Sequence, residues 1–419
     1  MATAQAIRPL PGLARGGLPR LLGPRDRGAM PAVGGRDLID EVERSGLRGR
    51  GGGGFPTSVK LAAVADRRGR SVVVANGTEG EPASHKDKVL LTHDPDLVID
   101  GALAAAEAVG AREVIIAVAR GAGSARERTG EAVRRRAPGA GRIRLSLVAP
   151  PERFIVGEES ALVHWLNGGP ARPTLTPPRP SERGVGGRPT LLQNVETLAH
   201  IGLIARHGAD WFCGLGTDAE PGSMLVTVGG AVRSPGVHEI EIGTPIRDVL
   251  ALGGGPVDGV AGVLVGGYFG TWLRADDPMD VSFSRAGLRP VGGSLGAGTI
   301  VVLPRASCGL LETARVARYL AGESAGQCGP CVFGLRALAD ASEALAGGRG
   351  AIEGLRAMQE LPSEIEGRGA CAHPDGAARL VRSALAAFPH EAHLHMQGRC
   401  SATSGAPVLP VPTTSDEWR

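Results

Sequence analysis

The segment Gly46-Leu-Arg-Gly-Arg-Gly-Gly-Gly-Gly-Phe-Pro-Thr-Ser-Val-Lys60 restricts what this chain can fold around. Glycine reaches φ > 0 without steric cost and lets backbone approach a ligand closely. The run Gly51 to Gly54 leads into a helix-permissive stretch, residues 58–66. Backbone N–H groups in such a loop, at the entrance of a helix, cradle an anion. Arg48, Arg50 and Lys60 add positive charge. A phosphate of a nucleotide or flavin suits this loop. A flexible surface loop is the plainer reading, but a linker has no need of Phe55-Pro-Thr57 and Lys60 directly after it. No G-x-G-x-x-G follows a strand, and no Gly-Lys-Ser/Thr closes the loop, so it is neither the dinucleotide fingerprint nor a P-loop.

The residues that follow alternate between strand and helix patterns. Ser71 to Ala75 is a short apolar run bounded by turn residues, which predicts a buried strand. It ends in Asn76-Gly-Thr-Glu-Gly-Glu-Pro82, so Glu79 and Glu81 fall just past a strand's C-terminal end, where open α/β sheets place ligand chemistry. Helices are predicted over 97–109 and 124–136, and strands over 113–118 and 142–148. This alternation implies an α/β layer architecture. Residues 153–162 read as an apolar strand end, then Gly157, two acids and a helix running to Leu166; a further helix is predicted over 194–206. Beyond Gly222 the predicted strands are 224–228, 236–241, 262–265 and 299–303, with a helix over 245–252, which suits a small β-grasp-like module. From Cys308 the chain turns helical, with the best helices at 313–320, 334–346 and 375–388.

Charge and cysteine usage narrow the functional classes. The net charge of the 419 residues is only +3, which argues against nucleic acid as the main partner. No apolar run is long enough for a membrane span. The arginine-rich N-terminus lacks the apolar core of an export signal, so the cysteines of this chain are not expected to form a disulfide framework. The expectation is a cytoplasmic protein that reaches a membrane only through a partner. Cys328-Gly-Pro-Cys331 has the spacing of metal or redox chemistry. Taken alone, zinc or a buried thiol pair would explain it equally well. Cys213 is expected to be a small buried hydrophobe.

Five pieces, in this order, resemble the flavin/NADH-binding (51 kDa-type) subunit of respiratory complex I and the diaphorase subunits of NAD-linked hydrogenases and formate dehydrogenases. They are residues 46–60, 76–88, 154–162, 193–197 and 323–331, and the resemblance covers roughly residues 40–390. It implies an α/β flavin-binding domain, a β-grasp (SLBB-like) domain and a C-terminal helical bundle with an iron–sulfur site. The expected division is a disordered basic arm over 1–34, the FMN-binding α/β domain over 35–208, the β-grasp domain over 209–305, the bundle over 306–395 and a tail over 396–419.

The family's FMN contacts fall on Gly49, Arg50, Gly51, Lys60, Asn76, Glu79, Gly157, Glu158, Asn194 and Thr197. Thr78 stands where an aspartate is expected, and Gln193-Asn194 stands for an Asn-Asn pair. Family contacts to NADH fall on Phe55, Glu81 and Glu159, but Leu61, Phe154 and Arg179 occupy positions where the family has aromatic or tyrosine residues. Base–aromatic stacking is worth roughly 1–3 kcal/mol per ring, so NADH is a weakened and doubtful donor. The resemblance also implies a [4Fe–4S] cluster on four cysteines. Cys328, Cys331 and Cys371 match three of them, and Ala325 stands at the fourth position. Cys400 is the first choice of substitute, ahead of His373 and Cys308; a three-iron cluster, a three-cysteine four-iron cluster with an open position, and an empty site are the other outcomes. The function implied is an oxidoreductase component, NADH-dehydrogenase-like, passing electrons between FMN and the cluster. A ferredoxin-like protein or a membrane redox subunit would be its partner. The contrasting reading is a scaffold or iron–sulfur paralogue that has lost NADH and flavin turnover.

Overall fold

The computed structural model describes residues 17–23, 34–277, 279–413 and 416–419. Its first layer is a four-stranded parallel sheet of β1 (Ser71–Gly77), β2 (Ala111–Val118), β3 (Arg144–Val148) and β4 (Thr190–Asn194), in the order β3-β2-β1-β4. Val72 to Ala75 are fully buried, as expected of a central parallel strand covered on both faces. The chain steps outward from β1 to β3, then returns to lay β4 on the other side of β1. The order therefore reverses between β1 and β4, and a crevice opens beyond their C-terminal ends. Register places Asn76 of β1 directly opposite Asn194 of β4 at that crevice.

Helices Pro95–Ala108 and Val195–His207 cross against one another beside the sheet. Glycines make the crossing close: a Cβ on Gly101 would lie 1.7 Å from the Leu198 carbonyl oxygen. Residues 153–157 are not the expected strand end. Phe154–Gly157 is a 3-10 turn, closed by the Glu158 amide donating to the Ile155 carbonyl, with Ile155 and Val156 buried beneath it. The apolar run there reflects burial of a turn, not a pleat.

The second sheet holds β5 (Ser223–Gly230), β6 (Gly236–Glu241), β7 (Val260–Val265), β8 (Thr271–Arg274) and β9 (Thr299–Pro304), in the order β6-β5-β9-β7-β8. β5 and β9 run parallel and the remaining pairs antiparallel, with helix Ile246–Leu252 packed on one face. Helices Gly309–Gly322, Leu335–Gly347, Ala351–Ile365 and His373–Ala387 then form the bundle, followed by a short helix, Pro389–Met396. Helix 351–365 escapes the sequence pattern because glycines flank it and Pro362 lies inside its last turn.

Both chain ends are tied down where they are described. Most of the arm over 1–34 lies outside the described residues, but 17–23 correct the expectation of disorder. The amides of Arg20, Leu21 and Leu22 all donate to Glu239 Oε2, and Leu21 is fully buried. The tail returns along the bundle. Val408 and Leu409 amides donate to Glu312 Oε2, the Tyr268 hydroxyl donates to the Pro410 carbonyl, and the Ala171 amide donates to the Trp418 carbonyl. Among the described residues no helix is long and apolar enough to cross a membrane.

Candidate functional site

A cavity of about 530 Å³ occupies the crevice beyond β1 and β4, within the range of small-molecule and cofactor sites. One wall is the glycine loop. It closes on itself through the Gly49 amide to the Phe55 carbonyl, 2.9 Å, and the Thr57 amide to the Leu47 carbonyl, 3.0 Å. The Arg50 amide donates to Thr197 Oγ1 at 2.8 Å, which fastens the loop to helix 195–207. Gly51 to Gly54 thus lie along the cavity. They cannot carry side chains freely: a Cβ on Gly51 would meet Asn194 at 3.1 Å, and one on Gly54 would fall inside the Arg285 guanidinium. Asn194 caps helix 195–207 by accepting from the Glu196 amide, so a helix N-terminus faces the cavity as well.

The second wall is the end of β1 with the 3-10 turn. Asn76 Nδ2 donates to the Gly157 carbonyl at 2.8 Å, and Thr78, in place of the expected acid, donates to Asn76 Oδ1. Glu79, at φ +44°, accepts from the Asp87 and Lys88 amides and from Ser84 Oγ. Glu81 accepts from the Ala83 amide and, across the domain boundary, from the Tyr268 amide. Burial raises both carboxyls above their ordinary range, and Glu81 is pushed to about 7. Glu158 caps the helix Glu159–Leu166 by accepting from Ser160 and Ala161 amides, and Glu159 pairs with Lys60 at 2.6 Å. All ten FMN residues predicted from the sequence meet here: nine line the cavity directly, and Arg50 lies buried behind the loop. Phe55, Glu81 and Glu159 line it too.

The residues present fit FMN. Gln193 Nε2 on the cavity wall and Arg50 Nε behind it are buried without a hydrogen-bond partner among the described residues. Buried donors left in this way are what a bound polar group satisfies. Sequence reasoning missed the support beneath the site. Lys86, inside the 76–88 segment, is buried between Asp87 and Glu196 at 2.6 and 2.8 Å, and Asn194 Nδ2 donates to Asp87 Oδ2.

The third wall comes from the bundle: Cys371, Ala372, His373 and Arg379. Cys371 is an electrostatic neighbour of Cys328, and Cys331 of both. Cys331 sits in a single π-helical turn, Pro330–Gly334, a local feature frequent at functional sites. Burial pushes its thiol up to about 12, so thiolate forms there with a metal to stabilise it. Three soft thiolates there would suit iron and would supply three of the four ligands of a cubane cluster. Ala325 is buried and offers none.

Cys400 corrects the expected fourth ligand. It stands with Cys308, Glu391 and His395, not with the three cysteines. The reason is topological: helix 389–396 delivers it to the start of the bundle, beside Cys308. Of the two other substitutes, Cys308 stands with Cys400, and His373 has its Nε2 at 2.8 Å from the Leu320 carbonyl and is held neutral by burial, at about 4. Cys213 is exposed, not buried as expected.

A flavin-type cavity and a cysteine-lined bundle on one chain define a flavin and iron–sulfur electron-transfer protein. Comparison with known proteins agrees. Residues 42–203 match the Nuo51 FMN-binding domain, 225–266 the SLBB domain, and 312–395 the NADH-ubiquinone oxidoreductase-F iron–sulfur binding region. The chain is 32% identical over 378 residues to the second F-type subunit of the NADH-quinone oxidoreductase of Rhizobium meliloti, covering 87% of this chain and 89% of that one. It is 32% identical over 392 residues to the corresponding F-type subunit of the NADH-quinone oxidoreductase of Streptomyces coelicolor, covering 90% and 86%. A chain of an NAD+-reducing [NiFe]-hydrogenase in the H2-reduced state superposes with a TM-score of 0.81 at 31% identity, over 86% of this chain and 62% of the hydrogenase chain. The present chain therefore spans about three-fifths of that longer one. The chain belongs to the family of F-type, 51 kDa-type flavin-bearing subunits of NADH-quinone oxidoreductase.

Proposed function

We propose that this chain is the electron-entry component of an NADH:acceptor-type oxidoreductase, passing electrons between FMN in the switch-point cavity and an iron–sulfur cluster on Cys328, Cys331 and Cys371. One observation carries the reading: Cys371 is at once a wall of the cavity and a member of the thiol group. Bound FMN would supply exchange between two-electron and one-electron transfer, and the cluster single-electron transfer.

The protein's part is placement. The glycine loop and the N-terminus of helix 195–207 receive the phosphate side. Gln193 and Asn194 offer amide groups to the wall. Phe154, packed against Phe269 at 4.8 Å and against His373 at 5.7 Å, fills the space between cavity and bundle and excludes water. The Lys60–Glu159 pair holds a charge of each sign on the cavity wall. Phe55, 44% exposed, is a ring available for a nucleotide to stack upon. With Leu61 and Arg179 in place of rings, the donor site binds NADH weakly. The acceptor is a redox protein, ferredoxin-like or a membrane subunit, met on the cytoplasmic side. The scaffold reading is not favoured, because the loop, cavity and three thiols are all in place.

The test is anaerobic purification with FMN, iron and sulfide assays on wild type and Cys371→Ala. Expected are FMN and iron together in wild type, and FMN without iron in the variant. Unchanged iron in Cys371→Ala would remove the shared wall from the argument.

A further inference from the structure

Four metal-ligating side chains meet at the other end of the bundle, outside the site above. Cys308 caps helix 309–322, where its sulfur accepts from the Leu311 amide. Its Sγ is 3.4 Å from His395 Nε2, which in turn is 3.2 Å from Glu391 Oε1. Cys400 completes the group, and one ligand atom from each residue lies within 4.8 Å of all the others. Cys308, Glu391 and His395 are buried, and Cys400 is open to solvent. Glu391 is held in place by Ser401, whose amide donates to Oε1 and whose hydroxyl donates to Oε2.

Zinc bonds of about 2.0–2.3 Å in a tetrahedron give ligand–ligand edges of about 3.3–3.8 Å. The two closest pairs, at 3.4 and 3.2 Å, already stand near that spacing, and every other pair lies within 4.8 Å. Two thiolates, an imidazole and a carboxylate are a zinc-type donor set, softer than calcium or magnesium would choose. Four protein ligands leave no open position, the hallmark of a structural site.

We propose that Cys308, Glu391, His395 and Cys400 bind one zinc ion, which fastens the C-terminal strap to the rest of the molecule. The strap begins at Cys400. Thr403 and Ser404 amides donate to the Ala306 carbonyl, Val408 and Leu409 amides to Glu312, and Trp418 stacks under the Arg153 guanidinium at 3.9 Å. Arg153 directly precedes Phe154 of the cavity wall. The metal thus anchors one end of a segment whose other end braces the flavin site. On binding, each thiol gives up its proton to solvent and the imidazole coordinates in its neutral form, so no oxidant or reductant is involved.

The experiment counts zinc and iron by mass spectrometry in the full-length chain, purified anaerobically without chelator and supplied with zinc. Wild type, Cys400→Ser and Cys328→Ala are compared. Expected is about one zinc per chain in wild type. In Cys400→Ser, zinc affinity falls by at least about 100-fold, since even outer-shell losses cost 10–100-fold, while FMN and iron are unchanged. Cys328→Ala shows the reverse, with iron lost and zinc kept. Cobalt loaded in place of zinc should show tetrahedral d–d bands and a sulfur charge-transfer band that Cys400→Ser weakens. Stripping zinc from wild type should speed amide exchange at 403, 404, 408 and 409 by about 10-fold or more. Folded wild type with FMN and iron but no zinc overturns the inference and leaves the proposed function standing. Zinc without FMN does the opposite. A Cys308–Cys400 disulfide, or iron lost from Cys400→Ser, also overturns it.

Discussion

Lys86→Met tests whether the flavin site stands on a buried charge network. Lys86 Nζ is 2.6 Å from Asp87 Oδ1, 2.8 Å from Glu196 Oε2 and 3.5 Å from Asn194 Oδ1. The three charged side chains are 3%, 5% and 0% exposed. Burial works against the Lys86 cation, but the two carboxylates outweigh it and hold its pKa above the ordinary value. Methionine keeps most of the stem volume, so little cavity forms and the loss is electrostatic. Removing one partner from a buried pair costs about 3–5 kcal/mol. Here it leaves two carboxylates, one of them hydrogen-bonded to Asn194, which lines the cavity. With a urea m-value of about 2–3 kcal/mol/M, the midpoint should fall by about 1–2.5 M. Far-UV circular dichroism and flavin release are the two probes, and both should move. The triple variant Lys86→Met, Asp87→Asn, Glu196→Gln should recover most of the stability, because replacing a whole buried ion group is often neutral. A midpoint shift below about 0.5 M in the single variant would refute the argument.

Three further outcomes follow from the same geometry. Glu81, raised by burial to about 7 against an ordinary 4.5, keeps its proton in the folded chain where the unfolded chain has lost it. Its contribution to stability is complete below pH 4.5 and is lost as pH rises through about 7; Glu81→Gln should flatten the pH profile of the denaturation midpoint across that window, and an unchanged profile would count against the burial. Ala325→Cys should raise iron retention and slow cluster loss in air, measured by iron content over time, because it restores a fourth thiolate; equal iron in both proteins would mean another ligand already fills the position. Gly101→Ala should destabilise the α/β domain by about 3 kcal/mol or more, because its Cβ would meet backbone at 1.7 Å and not a movable side chain; a thermal midpoint within about a degree of wild type would mean that the two helices separate freely.

The flavin side of this protein was legible because its residues are local. The loop 46–60, the turn 76–82 and the 193–197 segment each carry their own spacing, and parallel strands then bring Asn76 opposite Asn194 without further instruction. The Cys328–Cys331 pair was legible for the same reason, because its members are three residues apart. Cys400 was misplaced because no sequence pattern measures the distance between a tail cysteine and either end of a bundle. Its true neighbour Cys308 is 92 positions away, and only the packing of helix 389–396 joins them. Helix 351–365 was missed through Pro362 and its flanking glycines, where tertiary packing overrode local preference. The strap over 401–413 was read as a tail because Ser, Thr and Pro show no periodicity. Its order comes from single long-range bonds to Glu312, Ala306 and Tyr268.

The cavity also explains why the three parts of the chain must be present together. The α/β domain supplies the glycine loop and the ends of β1 and β4. The β-grasp domain supplies Gly266, Ser294 and Gly296, and the bundle supplies Cys371 to His373. Arg285 of the β-grasp domain lies over Gly54 and pairs with Glu220 at 3.1 Å, so the loop's shape depends on a neighbour. Glu81 crosses in the other direction to the Tyr268 amide at 2.7 Å. A ligand that touches all three walls binds only their assembled form, and so stabilises the docking of the domains by mass action. Flavin occupancy and domain docking are then two readouts of one equilibrium. Cys371, which the proposed function places between flavin and cluster, lines the cavity only while the bundle is docked.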